Sequence, residues 1–123
     1  MHELSIALSL VELAAEAAAN AGAERVATVH LRVGALAGVV PEALQFSFAI
    51  AARGTPLEDA QLAIEALPTV IFCACCDADR ALPTPGSFRC PVCGTPSAAI
   101  RQGRELELVA LTLAAPVPAA SGP

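Results

Sequence analysis

The sequence has no lysine, tryptophan or tyrosine, and it has only four phenylalanines among 123 residues. Nucleic-acid surfaces depend on accumulated positive charge and on aromatic rings that stack with bases, so these absences argue against DNA or RNA as a ligand. All seven basic residues are arginines, and with twelve acidic residues they give a formal net charge of −5. Residues 1–67 carry three arginines against eight acids (net −5), and residues 68–123 carry four of each.

Signals for export and membrane insertion are also missing. Met1-His2-Glu3 runs directly into an apolar stretch without a basic region or a small-residue cleavage pattern, so we expect no secretory signal and a cytoplasmic location. The stretch from Leu4 to Asn20 is apolar, but its polar residues recur at helical spacing. They are Ser5, Ser9, Glu12, Glu16 and Asn20. This pattern predicts an amphipathic helix with one wet face, ended near Gly22, and no membrane span.

The composition predicts a folded chain, because 55% of its residues are hydrophobic and only 15% are charged. Its length suits one domain, or one domain with a small metal-held subdomain. After the first helix, alternation predicts strands over residues 25–34, 61–67 and 105–113, and a short apolar run precedes the cysteines at residues 69–72. Pro41 predicts the first turn of a second helix, with Leu44 and Phe48 facing inward.

The five cysteines lie within 21 residues of one another, at Cys73, Cys75, Cys76, Cys90 and Cys93. An odd number in one short segment is not the pattern of a disulfide framework. Two C-x-x-C pairs separated by a loop can form two knuckles whose four thiolates surround one Zn(II) at the corners of a tetrahedron. Cys73 and Cys76 match the spacing of Cys90 and Cys93, so we predict these four as zinc ligands and leave Cys75 out.

Four thiolates would leave no open coordination position, so such a zinc would be structural and would not activate water. The pattern leaves other interpretations open: a redox dithiol, an iron–sulfur cluster, buried free thiols, or a zinc ribbon that binds nucleic acid or protein. A nucleic-acid ribbon is disfavoured here because only Arg80 and Arg89 lie near the knuckles, and Asp77 and Asp79 offset them.

The amino terminus carries a second candidate metal site. The α-amine, the amide nitrogen of residue 2 and the Nδ1 atom of His2 can chelate one ion, and planar nitrogen donors suit Ni(II) or Cu(II). The first N–H groups of a helix have no intrahelical acceptor, so amide ligation there would break no backbone hydrogen bond. The residues alone favour the simpler interpretation, in which His2 belongs to a mobile terminus and Glu3 is a favourable charge near a helix start. His30, on the polar side of a strand, is expected to be a surface residue.

Together these residues resemble the HypA/HybF family of hydrogenase nickel-incorporation proteins. The resemblance runs from residue 1 to about 113 and is carried by Met-His-Glu-Leu-Ser-Ile-Ala at the start, Leu31-Arg-Val-Gly34, Gly38-Val-Val-Pro-Glu-Ala-Leu44 with Phe46 and Phe48, the two C-x-x-C pairs and Gln102-Gly103. It implies a nickel metallochaperone that is not an enzyme. It also implies that His2 is the nickel ligand with backbone nitrogens of Met1 and Glu3, and that Cys73, Cys76, Cys90 and Cys93 hold structural zinc.

The resemblance further implies partners and a fold. The cargo Ni(II) would pass to the large-subunit precursor of [NiFe]-hydrogenase together with the GTPase HypB, and some relatives also serve urease maturation. The implied fold is α+β, with two helices packed on a three-stranded sheet and a zinc-ribbon-like module inserted before the last strand. The expected domains are residues 1–68 with 104–113, binding nickel, and residues 69–103, binding zinc, followed by a disordered tail at 114–123. The sequence suits a monomer or a homodimer.

The chain departs from its relatives at several positions. Many relatives carry a glutamate where this chain has Ala35, and some carry an aspartate near position 40 as a further nickel ligand, where this chain has Val40. Some relatives also place histidines beside the knuckles, where this chain has Asp77 and Gly94. We therefore expect a nickel site whose ligands from this chain are residues 1–3 only, with water or a partner as a further ligand, and a zinc site without histidine exchange.

Overall fold

The computed structural model describes residues 2–84 and 86–114. These residues form helices α1 (His2–Asn20) and α2 (Pro41–Ala51) and strands β1 (Val26–Gly34), β2 (Gln61–Leu67), β3 (Val70–Cys73), β4 (Ala78–Ala81), β5 (Ile100–Gln102) and β6 (Leu106–Leu113). The predicted helices and long strands are confirmed to within a few residues at their ends. The predicted tail, residues 114–123, lies outside the described residues except for Ala114.

The strands form two three-stranded sheets, one in the order β2-β1-β6 and one in the order β4-β3-β5. The cysteines accompany the second sheet, so the predicted α+β class with two helices, a three-stranded sheet and a ribbon-like module is confirmed. Within its described part, the chain divides into two compact units, one of residues 2–30, 40–63 and 108–114 and one of residues 31–39, 64–84 and 86–107. The predicted domain boundaries stay a prediction.

Helix α1 is amphipathic as its sequence predicts. Every residue of the predicted polar stripe is exposed, whereas the opposite face buries apolar side chains at helical spacing, namely Ala7, Leu10, Val11, Ala14 and Ala18. The helix ends where Gly22 adopts a φ of +76°. There the N–H groups of Ala23 and Gly22 donate to the carbonyls of Ala18 and Ala19, which satisfies groups that the helix end would leave unpaired.

Helix α2 begins at Pro41 and packs against α1 within the first unit. The predicted inward residues Leu44 and Phe48 are buried. Gln45 Nε2 donates a 2.7 Å hydrogen bond to the carbonyl of Leu62, so the helix satisfies a backbone acceptor of strand β2. Strand β2 lies at the edge of its sheet, where backbone groups need partners from outside the sheet.

The central strand β1 alternates as predicted, with Val29, Leu31 and Val33 buried. Its polar side makes cross-strand contacts: Arg32 Nε donates a 3.0 Å hydrogen bond to Glu65 Oε1, and His30 Nε2 lies 2.8 Å from Thr112 Oγ1. These contacts fix the partners of β1 on its open face. None of the helices in the described residues is both long enough and apolar enough to span a membrane.

The end of β1 lies against the chain as it returns from the second sheet. The N–H of Gly34 donates to the carbonyl of Glu105 at 2.8 Å, and the N–H of Leu36 donates to the carbonyl of Gly103 at 2.7 Å. A Cβ atom built on Gly34 would overlap the carbonyl group of Gly103. Position 34 therefore requires glycine because the two backbones touch.

Candidate metal centres

The hairpin of β3 and β4 presents the first cysteine pair. The strands pair antiparallel, with Cys73 opposite Ala78, and Cys76 lies in the turn between them. Asp77 follows the pair with a φ of +53°. Aspartate tolerates this left-handed conformation better than most residues, which lets the chain turn back sharply into β4.

The second cysteine pair, Cys90 and Cys93, lies in a similar tight loop, but this loop is not part of a regular hairpin. The N–H of Gly94, whose φ is +77°, donates a 2.8 Å hydrogen bond to the carbonyl of Cys90. The N–H of Cys90 in turn donates to the carbonyl of Thr95 at 2.9 Å, and Arg89 and Pro96 form an isolated bridge. Each C-x-x-C pair is thus a tight loop closed by a left-handed residue.

The two loops bring four sulfur atoms together. The Sγ atoms of Cys73 and Cys93 are 3.5 Å apart, those of Cys76 and Cys90 are 3.9 Å apart, and all four lie within 4.8 Å of one another. Thiolates bound to zinc at about 2.3 Å stand about 3.8 Å from one another in a tetrahedron. The separations of 3.5 and 3.9 Å are close to that value, so the donor set fits a tetrahedral Zn(II) site.

Hydrogen bonds to the sulfurs favour the thiolate form that a metal requires. The N–H of Cys76 donates to Cys73 Sγ and the N–H of Val92 donates to Cys90 Sγ, each at 3.4 Å. The hydroxyl and N–H groups of Thr95 can donate to Cys93 Sγ, which lies 3.1 Å from Thr95 Oγ1, and they lower the pKa of Cys93 to about 6.

Arg80 supplies positive charge beside this cluster. It lies opposite Ile71 in the β3–β4 pairing, and hydrogen bonding to the nearby sulfurs of Cys76 and Cys90 raises the pKa of its guanidinium. The guanidinium favours the Cys76 thiolate, but hydrogen bonding of the Cys76 thiol to Cys93 and burial outweigh it and raise the pKa of Cys76 to about 11. Four neighbouring thiolates therefore need more positive charge than Arg80 provides, as a bound divalent cation would supply.

The sequence did not single out Arg80 or Thr95 as supporting residues of this site. A basic residue four positions after Cys76 and a hydroxyl two positions after Cys93 were the available signals. All five cysteines are free. Cys75 is exposed and does not belong to the cluster that the other four form. Among residues 2–84 and 86–114, this is the single cluster of three or more cysteine, histidine or acidic side chains positioned to hold a metal.

The candidate nickel residues lie at the start of α1. His2 is the first helical residue, and its side chain is 58% exposed. The side chain of Glu3 is only 12% exposed, and its Oε2 atom accepts a 3.3 Å hydrogen bond from the N–H of Val40. This bond and one from its own N–H lower the pKa of Glu3. The predicted ligand Met1 lies outside the described residues.

Two further positions discussed from the sequence are placed by the structure. His30 is half-buried rather than fully exposed, and its contact with Thr112 occupies one ring nitrogen. Ala35, which stands where many relatives have glutamate, is exposed and donates its N–H to the carbonyl of Leu67. That hydrogen bond uses only the backbone, so alanine satisfies it as well as glutamate would.

The chain matches, over residues 1–113, the family model described as HypA, hydrogenase/urease nickel incorporation, metallochaperone. The hydrogenase maturation factor HypA of Chloroflexus aggregans is 60% identical over 111 residues, which cover 90% of this chain and 97% of the relative. The corresponding factor of Roseiflexus is 56% identical over 111 residues, covering 90% of each chain.

Solved structures are similar in fold. The solution structure of a HypA protein superposes with a TM-score of 0.68 at 23% identity, covering 93% of this chain and 97% of the other. That of the Ni metallochaperone HypA from Helicobacter pylori gives a TM-score of 0.64 at 23% identity, covering 93% and 98%.

Proposed function

Because the chain belongs to the HypA family of nickel-incorporation metallochaperones, we propose that it binds Ni(II) through Met1-His2-Glu3 and delivers it to the large-subunit precursor of [NiFe]-hydrogenase. The observation that carries the proposal is that the family match begins at residue 1 and so includes this tripeptide. We propose no catalytic residue, since the relatives are maturation factors.

The chemistry of the terminus supports the nickel proposal. The α-amine of Met1, the amide nitrogen of His2 and the imidazole Nδ1 are nitrogen donors of the kind that Ni(II) accepts in a plane, and the amide nitrogen of Glu3 can complete the set. Residues 2 and 3 occupy the first turn of α1, where amide groups have no intrahelical acceptor. The exposed His2 side chain leaves the cargo accessible to a recipient protein.

We propose that Cys73, Cys76, Cys90 and Cys93 hold a structural Zn(II), with Arg80 and Thr95 supporting the charge of the thiolates. The sulfur separations and the N–H donors to sulfur support this assignment. Bound zinc would join the two knuckles covalently through metal–sulfur bonds and would offer no open position to a substrate. The cage is closed, whereas the nickel site is open at the chain terminus.

The proposed setting is the cytoplasm, with the GTPase HypB and the hydrogenase precursor as protein partners. Because the family description includes urease, urease maturation proteins are a second class of recipient. The acidic first part of the chain supports a protein partner over nucleic acid.

The test is nickel titration of untagged protein and of the His2→Ala variant, read by native mass spectrometry. We expect one tightly bound nickel in the original chain and none in the variant, with zinc retained in both. Acetylation of the α-amine should reproduce the loss. Equal nickel uptake by both proteins would contradict a terminal site.

A further inference from the structure

The carboxylate of Glu3 lies between two groups. Its Oε2 atom is 3.4 Å from His2 Nε2 and 3.3 Å from the backbone nitrogen of Val40. The Glu3 side chain is largely buried, in contrast to the exposed imidazole that it contacts. A partly buried carboxylate therefore joins the exposed start of α1 to the residue that precedes α2.

The Val40 contact compensates for a feature that α2 lacks. Val40 is the residue before the first helical turn, and it offers no side-chain hydroxyl, carboxylate or carboxamide to cap the helix. In a capping box, an acidic side chain within the helix accepts a hydrogen bond from the backbone N–H of this residue. Here Glu3 of α1 provides that acceptor, and its negative charge lies near the positive end of α2.

The His2 contact matters because the two imidazole nitrogens have different roles. Metal-binding histidines commonly donate their second ring N–H to a carboxylate, which fixes the tautomer and the orientation of the ring. With Nε2 placed 3.4 Å from Glu3 Oε2, the lone pair of Nδ1 is left for a metal. Nδ1 is also the nitrogen that can close a chelate ring with the amide nitrogen of the same residue.

We propose that the Glu3 side chain is a positioning residue for nickel, orienting the His2 imidazole while the amino-terminal end of α2 anchors its carboxylate. The inference rests on the nickel site proposed above. Glu3 then contributes twice, through its backbone nitrogen and through a side chain that does not touch the ion. An exposed imidazole otherwise samples several orientations, and the carboxylate removes part of that entropic cost before nickel arrives.

The experiment compares nickel affinities of untagged proteins by titration at fixed pH. Glu3→Ala should weaken nickel binding by about ten- to hundredfold, the usual effect of removing a carboxylate behind a histidine ligand. Glu3→Gln keeps an acceptor oxygen and should recover part of the affinity. Val40→Pro removes the anchoring N–H and replaces a half-exposed side chain, at a residue whose φ of −88° and ψ of 113° proline can approach. It should cause a smaller loss than Glu3→Ala.

The matched control is Glu12→Ala, which removes one exposed acidic side chain of the same helix. It should leave nickel affinity within about twofold, which separates positioning from a change in net charge. A second readout needs no nickel: long-range proton–nitrogen NMR spectra of the neutral His2 imidazole. The original protein and Glu12→Ala should show the Nε2-protonated tautomer, and Glu3→Ala should show a mixture.

The outcomes separate this inference from the proposed function. If His2→Ala loses nickel while Glu3→Ala keeps its affinity within twofold, the positioning role is wrong and the nickel site stands. An unchanged His2 tautomer in Glu3→Ala would also overturn it. If Glu3→Ala does not fold, unchanged affinity in both Glu3→Gln and Val40→Pro overturns it instead. If His2→Ala binds nickel normally, the proposed function and this inference fail together.

Discussion

The two helices and the cysteine segment, residues 69–103, use different means to hold their structure. The helices bury a continuous set of apolar side chains, including Leu10, Val11, Leu44 and Phe48. In the described part of the cysteine segment, the buried residues other than glycine are Thr69, Ile71, Cys73, Leu82 and Cys90. Two of those five are proposed metal ligands, so this segment has little apolar core apart from the sulfur cluster.

The difference shows what each region requires. Apolar burial alone gives a packed helix pair, because the stabilisation grows with the area removed from water. A segment with three short strands cannot obtain enough stabilisation in that way and needs a cross-link. Four thiolates and one ion would provide such a link at a small number of residues. The same chain thus joins a region stabilised by packing to one that metal ligation would stabilise.

Removal of zinc should have the largest effect, and this effect should be confined to the cysteine segment. Zinc-finger peptides gain about 10–16 kcal/mol from their metal, so chelation should make the amides of residues 70–102 exchange rapidly while those of α1 stay protected. Hydrogen exchange resolved by residue measures this. Cys90→Ser should lose zinc as well, whereas the control Cys75→Ser should keep it, because Cys75 lies outside the cluster. Simultaneous loss of protection in α1 would show that the regions are not independent.

Substitutions in helix α2 test the stabilisation of the helices by apolar packing. Leu44 is 0% exposed and Phe46 is 70% exposed, two positions apart on α2. Leu44→Ala should lower the free energy of unfolding by about 2–5 kcal/mol, with zinc still bound, because it opens a cavity. Phe46→Ala should change it by less than about 0.5 kcal/mol. Chemical denaturation measures the free energy of unfolding of both variants. Equal changes would contradict the burial of Leu44.

A substitution at Gly34, whose backbone lies close to Gly103, should have a smaller effect on the free energy of unfolding. Gly34→Ala should cost about 1–3 kcal/mol, because its methyl group would overlap the Gly103 carbonyl and force the two chain segments apart. Gly86→Ala is the matched control, since a Cβ atom there meets nothing within 4 Å. Thermal unfolding compares the pair. A stability of Gly34→Ala equal to that of Gly86→Ala would contradict the contact.

A change of pH should have no effect on the zinc ligands. Both histidines of the chain, His2 and His30, precede residue 68, so the cysteine segment contains no imidazole to replace a thiolate. Zinc X-ray absorption should therefore show sulfur coordination unchanged between about pH 7.5 and about pH 6, the range in which histidine titrates. A shift from sulfur to nitrogen ligands would reveal an imidazole supplied from elsewhere.

Local patterns in the sequence predicted the parts that depend on local chemistry. Alternation in β1, the polar stripe of α1 and the left-handed Gly22 each follow from the preferences of neighbouring residues. The cysteine cluster was predictable too, because C-x-x-C spacing limits where two sulfurs can lie.

Contacts between distant residues were not predictable in the same way. Strands β4 and β5 have little strand propensity of their own and form because β3 pairs with them on both sides. The Glu3–Val40 hydrogen bond joins residues 37 positions apart, and nothing local to either residue indicates it. The contact of Gly34 with Gly103 likewise depends on how the chain returns. Sequence periodicity carries no information about such pairs.

The neighbouring positions of Thr69 and Gly103 bear on how this architecture can evolve. A Cβ atom built on Gly103 would lie 3.2 Å from Thr69 Cα, so the first and last residues of the cysteine segment are adjacent in space. A segment with adjoining ends can be exchanged, lengthened or excised as a cassette, because a linker of about two or three residues can bridge its ends at small entropic cost. Selection can therefore modify the cysteine cassette while the order of β2, β1 and β6 stays the same.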